Sequence, residues 1–198
     1  MNIVVGFILI LLIIGLVSWF FTVYNGLIQV RENIKKSWAN IDVLLMQRSD
    51  EIPKLIKTVK AFAKHEKKMF DSVMAARERY LGAGTVIEKA NANSQITDAL
   101  RSVFALSESY PDLRSNENFL QFQDRISGLE NEIADRREFY NESVNNYNIR
   151  IQSLPDVIIA NAMGLKLEEM FEVPDSAKND LDIDLINLYD EQNSDTKD

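Results

Sequence analysis

The sequence predicts an all-α protein in which a single N-terminal transmembrane helix leads into an antiparallel bundle of three to four long helices. Three observations predict it. The first thirty residues, Met1 to Val30, carry no charged side chain. Apolar residues elsewhere recur at steps of three and four, the helical period, and no stretch alternates with the period of two that a half-buried strand needs. Gly and Pro number only 7 and 4 in 198 residues, too few for the tight turns of an all-β chain.

The first element is the anchor. Ile3 to Tyr24 is almost continuous Ile, Leu, Val and Phe, interrupted by Gly6, Gly15, Ser18 and Thr22. At 1.5 Å per residue this stretch reaches roughly 33 Å, enough for a hydrocarbon core of about 30 Å. Only a helix satisfies its own backbone within lipid. Trp19 and Tyr24 fall near its end, where amphipathic rings favour the headgroup region. A cleaved signal peptide fits less well, because Met1-Asn2 has no basic side chain and Thr22-Val23-Tyr24-Asn25 offers no small-x-small cleavage site. Arg31, Lys35 and Lys36 follow the span and no Lys or Arg precedes it. The positive-inside rule therefore places the N-terminus outside and the body in the cytoplasm.

The anchor is assigned to residues 1–25, the bundle to 26–174 and a disordered acidic tail to 175–198. Leu27, Val30, Ile34, Trp38, Ile41, Leu44 and Leu45 continue a stripe straight out of the span. Ser49 or Asp50 is placed to cap a second helix with Pro53 in or near its first turn, or else Pro53 kinks one very long helix. Leu55, Val59, Phe62, Phe70 and Val73 share one face of that stretch, with lysines on the other, and Gly82 and Gly84 end it. Ala83 to Ser94 reads as a linker of small and polar residues. Ile96, Leu100, Val103 and Leu106 mark a shorter helix, stopped at Tyr110-Pro111-Asp112. The longest helix of the body then opens at Ser115 or Asn116. Its seam is Phe119, Phe122, Ile126, Leu129, Ile133, Tyr140, Val144, Tyr147, Ile151 and Leu154, with Arg136 where an apolar residue is due. A period near 3.5 predicts coiled-coil-like packing. Val157 to Met163 forms one further short helix.

Composition excludes much chemistry. There is no cysteine, hence no disulfide scaffold, thiolate metal site or thiol nucleophile. The net charge of −8 argues against nucleic acid as a partner. With one histidine, a multi-histidine metal site within the chain is impossible. His65-Glu66 lacks the second histidine of a zinc-protease helix, since position 69 is Met. The paired acids Glu130/Glu132 and Glu168/Glu169 read as solvated helix faces. No cofactor is expected, and the chain is expected not to be an enzyme.

Two sets of residues are candidates for contact with lipid or a partner. Lys54, Lys57, Lys60, Lys64, Lys67 and Lys68 read as a stripe along about four turns of one helix, either a solvent face or a patch attracted to anionic lipid. Tyr140-Asn141 and Tyr147-Asn148 stand one heptad apart, on one helix face. They either fix register within the bundle or line a groove for another protein's helix or peptide. The tail, Asp175 to Asp198, holds eight acids against Lys178 and Lys197, so it has little to bury. Its Leu181 to Tyr189 stretch is either incidental or a short docking segment.

The order and spacing of several motifs carry a resemblance. They are Tyr24-Asn25-Gly26-Leu27, Arg31, Ser37-Trp38-Ala39-Asn40-Ile41-Asp42-Val43, Arg48, Ile52-Pro53, Val59-Lys60 and His65-Glu66. Further on come Tyr110-Pro111-Asp112-Leu113-Arg114-Ser115-Asn116-Glu117-Asn118-Phe119, Gln123, Glu130, Ile133-Ala134, Arg136-Arg137, Tyr140-Asn141, Tyr147-Asn148 and Pro155 to Ala160. Together they resemble the LemA family over nearly all of residues 20 to 173. The resemblance implies a bacterial inner-membrane protein with one N-terminal span, a cytoplasmic helical bundle and no agreed biochemical activity. The expected function is a membrane-anchored, non-enzymatic interaction or scaffold protein. A membrane-stress or signalling sensor, or an accessory subunit of a membrane-bound enzyme, is the alternative. Expected partners are the lipid bilayer and unidentified membrane or cytoplasmic proteins; the long seam also leaves room for a homo-oligomer.

Overall fold

A computed structural model describes residues 2–172. The acidic tail expected at 175–198 lies outside the described residues. Among the described residues six α-helices run in chain order: α1 Asn2–Phe62, α2 Lys67–Gly82, α3 Val86–Leu106, α4 Pro111–Arg114, α5 Glu117–Gln152 and α6 Asp156–Ala162, with a 3-10 turn at Ser107–Ser109. Among the described residues there is no strand, so the fold is all-α. By compactness the chain forms two units, one of residues 2–48 with 125–170 and one of residues 49–124 with 171–172.

In the first unit, the N-terminal part of α1 is bare apolar surface, exposed from Ile3 to Phe21. Burial begins at Val23 and recurs at Leu27, Ile34, Ile41 and Leu45, with Val30 and Trp38 half-buried between them. The helix thus leaves its apolar stretch without interruption, as expected. Helix α5 lies antiparallel to it. Trp38 faces Tyr140 at 5.7 Å between ring centroids. Ser37 Oγ is 3.4 Å from Ser143 Oγ, and Arg48 pairs with Glu130 at 3.5 Å. One partner number falls as the other rises, which defines the direction. The α5 seam is buried at Ile126, Leu129, Ile133, Tyr140, Val144, Tyr147 and Ile151. Leu154 departs from the seam: it lies past the end of α5 and is 79% exposed.

In the second unit, helices pair as hairpins. The end of α1 returns along α2, with Lys60 Nζ 5.3 Å from the Phe70 ring centroid and Arg77 donating to the Ser49 carbonyl. Helix α2 returns along α3, where Arg79 donates to Gln95 at 2.6 Å. Phe104 of α3 meets Phe119 of α5 edge-on at 6.1 Å.

Two boundaries differ from the sequence reading, and one alternative it left open is resolved. No helix starts at Ser49 or Asp50; the very long helix through Pro53 is the alternative that holds, and α1 runs to Phe62, at 61 residues the longest described helix. A proline lacks the amide hydrogen that would bond the carbonyl four residues earlier, here Ser49. Arg77 Nε supplies the missing donor at 3.0 Å, so the gap in the ladder is filled from α2. Arg77→Met removes this charge-assisted bond and strands a buried carbonyl. The unit should lose about 1.5–3 kcal/mol in a urea melt; an unchanged midpoint contradicts the assignment.

The chain instead turns at Ala63 to Glu66, where neither Gly nor Pro stands. The expected linker at 83–94 shrinks to three residues, Ala83 to Thr85. Thr85 accepts from the Glu88 amide at 3.1 Å and Glu88 accepts from the Thr85 amide at 3.0 Å, a complete capping box that starts α3 at Val86. The Gly84 amide, donating at 2.8 Å, and then the Thr85 amide hold the Glu88 carboxyl below its ordinary pKa. At α5, Asn116 Oδ1 accepts from the Phe119 amide at 3.1 Å, so the expected cap at Asn116 is present.

Candidate functional site

The Tyr-Asn pairs on α5 do one concrete thing: they hold the chain's own segment that follows α6. After Ala162 the chain turns at Gly164, whose φ of +65° suits a residue without Cβ. It then runs back without helix. Tyr147 donates its hydroxyl to the Lys166 carbonyl at 3.0 Å and Tyr140 donates to the Glu169 carbonyl at 2.9 Å. Between them Asn148 uses both ends of its amide. Its Nδ2 donates to the Glu168 carbonyl at 2.9 Å and its Oδ1 accepts from the Glu168 amide at 3.0 Å. A side-chain amide meeting a backbone amide in this way substitutes for the neighbouring strand that an extended segment lacks. Asn141, half-buried, also has an interaction partner.

Heptad spacing explains why these residues act together. Tyr140 and Tyr147 are seven apart and Asn148 is adjacent, so all three lie along one side of α5. Both tyrosine rings are buried, at 2% and 1% exposure. Burial, with the charges of Glu168 and then Glu169, pushes the Tyr140 hydroxyl up to about 12. Tyr147 is also raised, by burial and Glu168, with Arg31 acting the other way. A raised phenol favours the neutral folded form, and its ordinary pKa is about 10. The stability that Tyr140 contributes is therefore fully present below pH ~10 and disappears as pH rises from about 10 to 12. In an alkaline titration followed by phenolate absorbance, a step near pH 12 is expected above the steps of the ordinary tyrosines, and Tyr140→Phe should reduce its amplitude by one tyrosine.

The lysines expected to form one stripe are divided. Lys54, Lys57 and Lys60 lie on α1, Lys64 in the turn, and Lys67 with Lys68 in the first turn of α2. All six are exposed. Lys54 pairs with Glu51 at 3.1 Å and Lys60 lies over the Phe70 ring. The single-helix stripe fails because α1 ends at Phe62. In the same unit, Glu66 accepts from the Tyr110 hydroxyl at 3.3 Å, joining the His65-Glu66 and Tyr110-Pro111 motifs. Burial, then the Glu66 charge, raises the Tyr110 pKa.

Arg136, which interrupts the α5 seam, lines an open cleft of about 300 Å³ in the first unit. Lys36 and Asn40 of α1 face it from one side, Arg136 and Phe139 of α5 from the other, and Ser37 with Ser143 lies between. No acid is among the residues that line it. Such a cleft suits an anionic group. Sequence reasoning missed it, although an arginine at a seam position was the visible signal. Arg48 of α1 is also a charge on the buried side. It is 2% exposed and its guanidinium is paired with Glu130, as burial of a charge requires. Among the described residues no group of three or more His, Cys, Asp or Glu is placed to hold a metal ion.

Near the N-terminus, α1 is the one described helix long and apolar enough to cross a membrane. The LemA family profile matches residues 37–185. Among curated proteins, the chain is 23% identical to two magnetosome proteins of Paramagnetospirillum magneticum, MamQ 1 and MamQ 2. It is also 23% identical to the magnetosome protein MamQ of Magnetospirillum gryphiswaldense. Each match covers 75% of this chain and 64% of the relative, so the chain spans less than two thirds of the length of these relatives.

Proposed function

The chain belongs to the LemA family, and from that premise we propose that it is a membrane-anchored, non-enzymatic interaction or scaffold protein. The observation that carries this reading is the continuity of α1. One helix of 61 residues begins as bare apolar surface and becomes the buried stripe of the first unit. A body built on its own anchor stays at the membrane surface, where its effective concentration toward other membrane proteins is high. Arg31, Lys35 and Lys36 after the span favour a cytoplasmic body and an outer N-terminus at a bacterial inner membrane.

The non-enzymatic part of the proposal is supported by what the polar side chains do. Tyr140, Tyr147 and Asn148 bond the chain's own backbone, and Glu66 bonds Tyr110. The side left for a partner is the Lys36 and Arg136 cleft, which suits an acidic segment of another protein. Lys57, Lys64 and Lys67 remain exposed as a second basic surface.

The test is affinity purification of the full-length protein from gently solubilised membranes, beside a Lys36→Glu/Arg136→Glu variant. A partner that co-elutes with the native chain and is lost from the variant supports the reading. Identical eluates from both contradict the cleft as its site. The unbroken helix also favours a second reading, a membrane-stress sensor or accessory subunit in which α1 passes on a shift. Changing bilayer thickness around the reconstituted protein should then alter cross-linking between cysteines placed at positions 38 and 139.

A further inference from the structure

The α5–α6 corner carries apolar side chains that the fold itself leaves uncovered. Leu154 is 79% exposed and Ile158 is 62% exposed. Their position follows from the register of the first unit. The Arg150 guanidinium lies so close against Gly26 that a methyl group built on Gly26 would overlap it. Gly26 is only two residues beyond Tyr24, the end of the apolar stretch. Because α5 runs antiparallel to α1, each residue after Arg150 moves back toward that stretch, by 1.5 Å while the helix lasts. The corner after Gln152 therefore reaches the level of Val23 and Tyr24. Val23 confirms this level: it is 6% exposed, whereas Phe20, Phe21 and Tyr24 are exposed.

The chemistry of the corner matches that position. From Ser153 to Ile158 the only charged residue is Asp156, and its carboxylate is paired with Arg150 and mostly buried. Ser153 donates its hydroxyl to the Ile149 carbonyl at 2.7 Å. The surface offered is apolar and neutral, with its one charge and one hydroxyl already engaged. A neutral apolar corner at the end of an apolar span has the makeup of a segment that enters the zone between headgroups and acyl chains, ~5–10 Å deep.

We propose that Leu154 and Ile158 enter the lipid interface beside α1, giving the first unit a second hold on the bilayer and fixing its height against it. This rests on the reading that α1 spans the membrane. The occupant of the corner is lipid, because the corner is level with the end of the span and carries no free charge for an ionic partner.

The native chain has no cysteine, so single-cysteine variants of the full-length protein give unambiguous labels. Phe20→Cys, Val43→Cys, Leu154→Cys and Ile158→Cys, all at exposed positions, are labelled with a polarity-sensitive fluorophore. They are reconstituted in phosphatidylcholine vesicles with a shallow nitroxide-bearing lipid. The expected result is quenching at 20, 154 and 158 several-fold above that at 43. Quenching at 20 alone overturns the proposal and leaves the span intact. Quenching at 43 equal to that at 154 also overturns it, because contact would then not be confined to the corner. No quenching at 20 removes the span, and the proposal with it.

Discussion

Ile133→Asp is expected to unfold the first unit. Ile133 is 4% exposed in the α5 seam, and the register set by Arg48 with Glu130 and Trp38 with Tyr140 puts it level with Leu45 of α1. The substitution removes a buried aliphatic group, worth about 2–5 kcal/mol. It also strands a carboxylate where water does not reach, at a further cost of several kcal/mol. Together these approach the whole stability of an ordinary domain, about 5–15 kcal/mol. Ile126→Asp, at a fully buried position, should behave the same way. Helical circular dichroism should fall sharply, while Phe139→Asp, at a position 58% exposed on the same helix, should leave it intact. A stable helical Ile133→Asp protein contradicts the seam.

The second large effect is at Tyr147, 1% exposed and bonded to the Lys166 carbonyl. Tyr147→Ala opens a cavity the size of an aromatic ring and should cost about 3–5 kcal/mol. Tyr147→Phe keeps the ring and loses only the hydrogen bond, at about 1 kcal/mol. The two variants separate packing from tethering. Both release the segment at Lys166, so trypsin should cut there faster in each, in step with the loss of the hydroxyl. Only the alanine variant should show a large drop in the urea midpoint. Equal midpoints for the two would mean that the ring contributes no packing.

What could be read from the residues follows from how far each signal reaches. The apolar start of α1 is legible because thirty residues without a charged side chain favour one unbroken helix. The α1 and α5 seams were legible because a helix repeats its own pattern, and Leu27, Ile34, Ile41 and Ile126, Ile133, Tyr140 are buried as the period requires. The Asn116 cap is a local signal that the sequence shows; the Thr85 and Glu88 box is equally local, and small polar neighbours conceal it. The turn at Ala63 to Glu66 has no such marker, and lysine spacing alone predicts one helix there. The rest depended on distant partners. Arg77 is 28 residues from the carbonyl that Pro53 leaves open. The segment at 166–169 has no periodicity of its own, and the residues that hold it stand some twenty positions earlier. Tyr140 and Tyr147 were recognised as paired, yet what they grip could not be named from their spacing.

On the proposed function, α1 remains in the bilayer as one piece with the body. Washing cell membranes at alkaline pH and sequencing the N-terminus of what is retained tests this directly. The expected result is protein held in the pellet with the Ile3 to Tyr24 stretch still attached. A mature chain that starts beyond Tyr24 and leaves with the supernatant would contradict it.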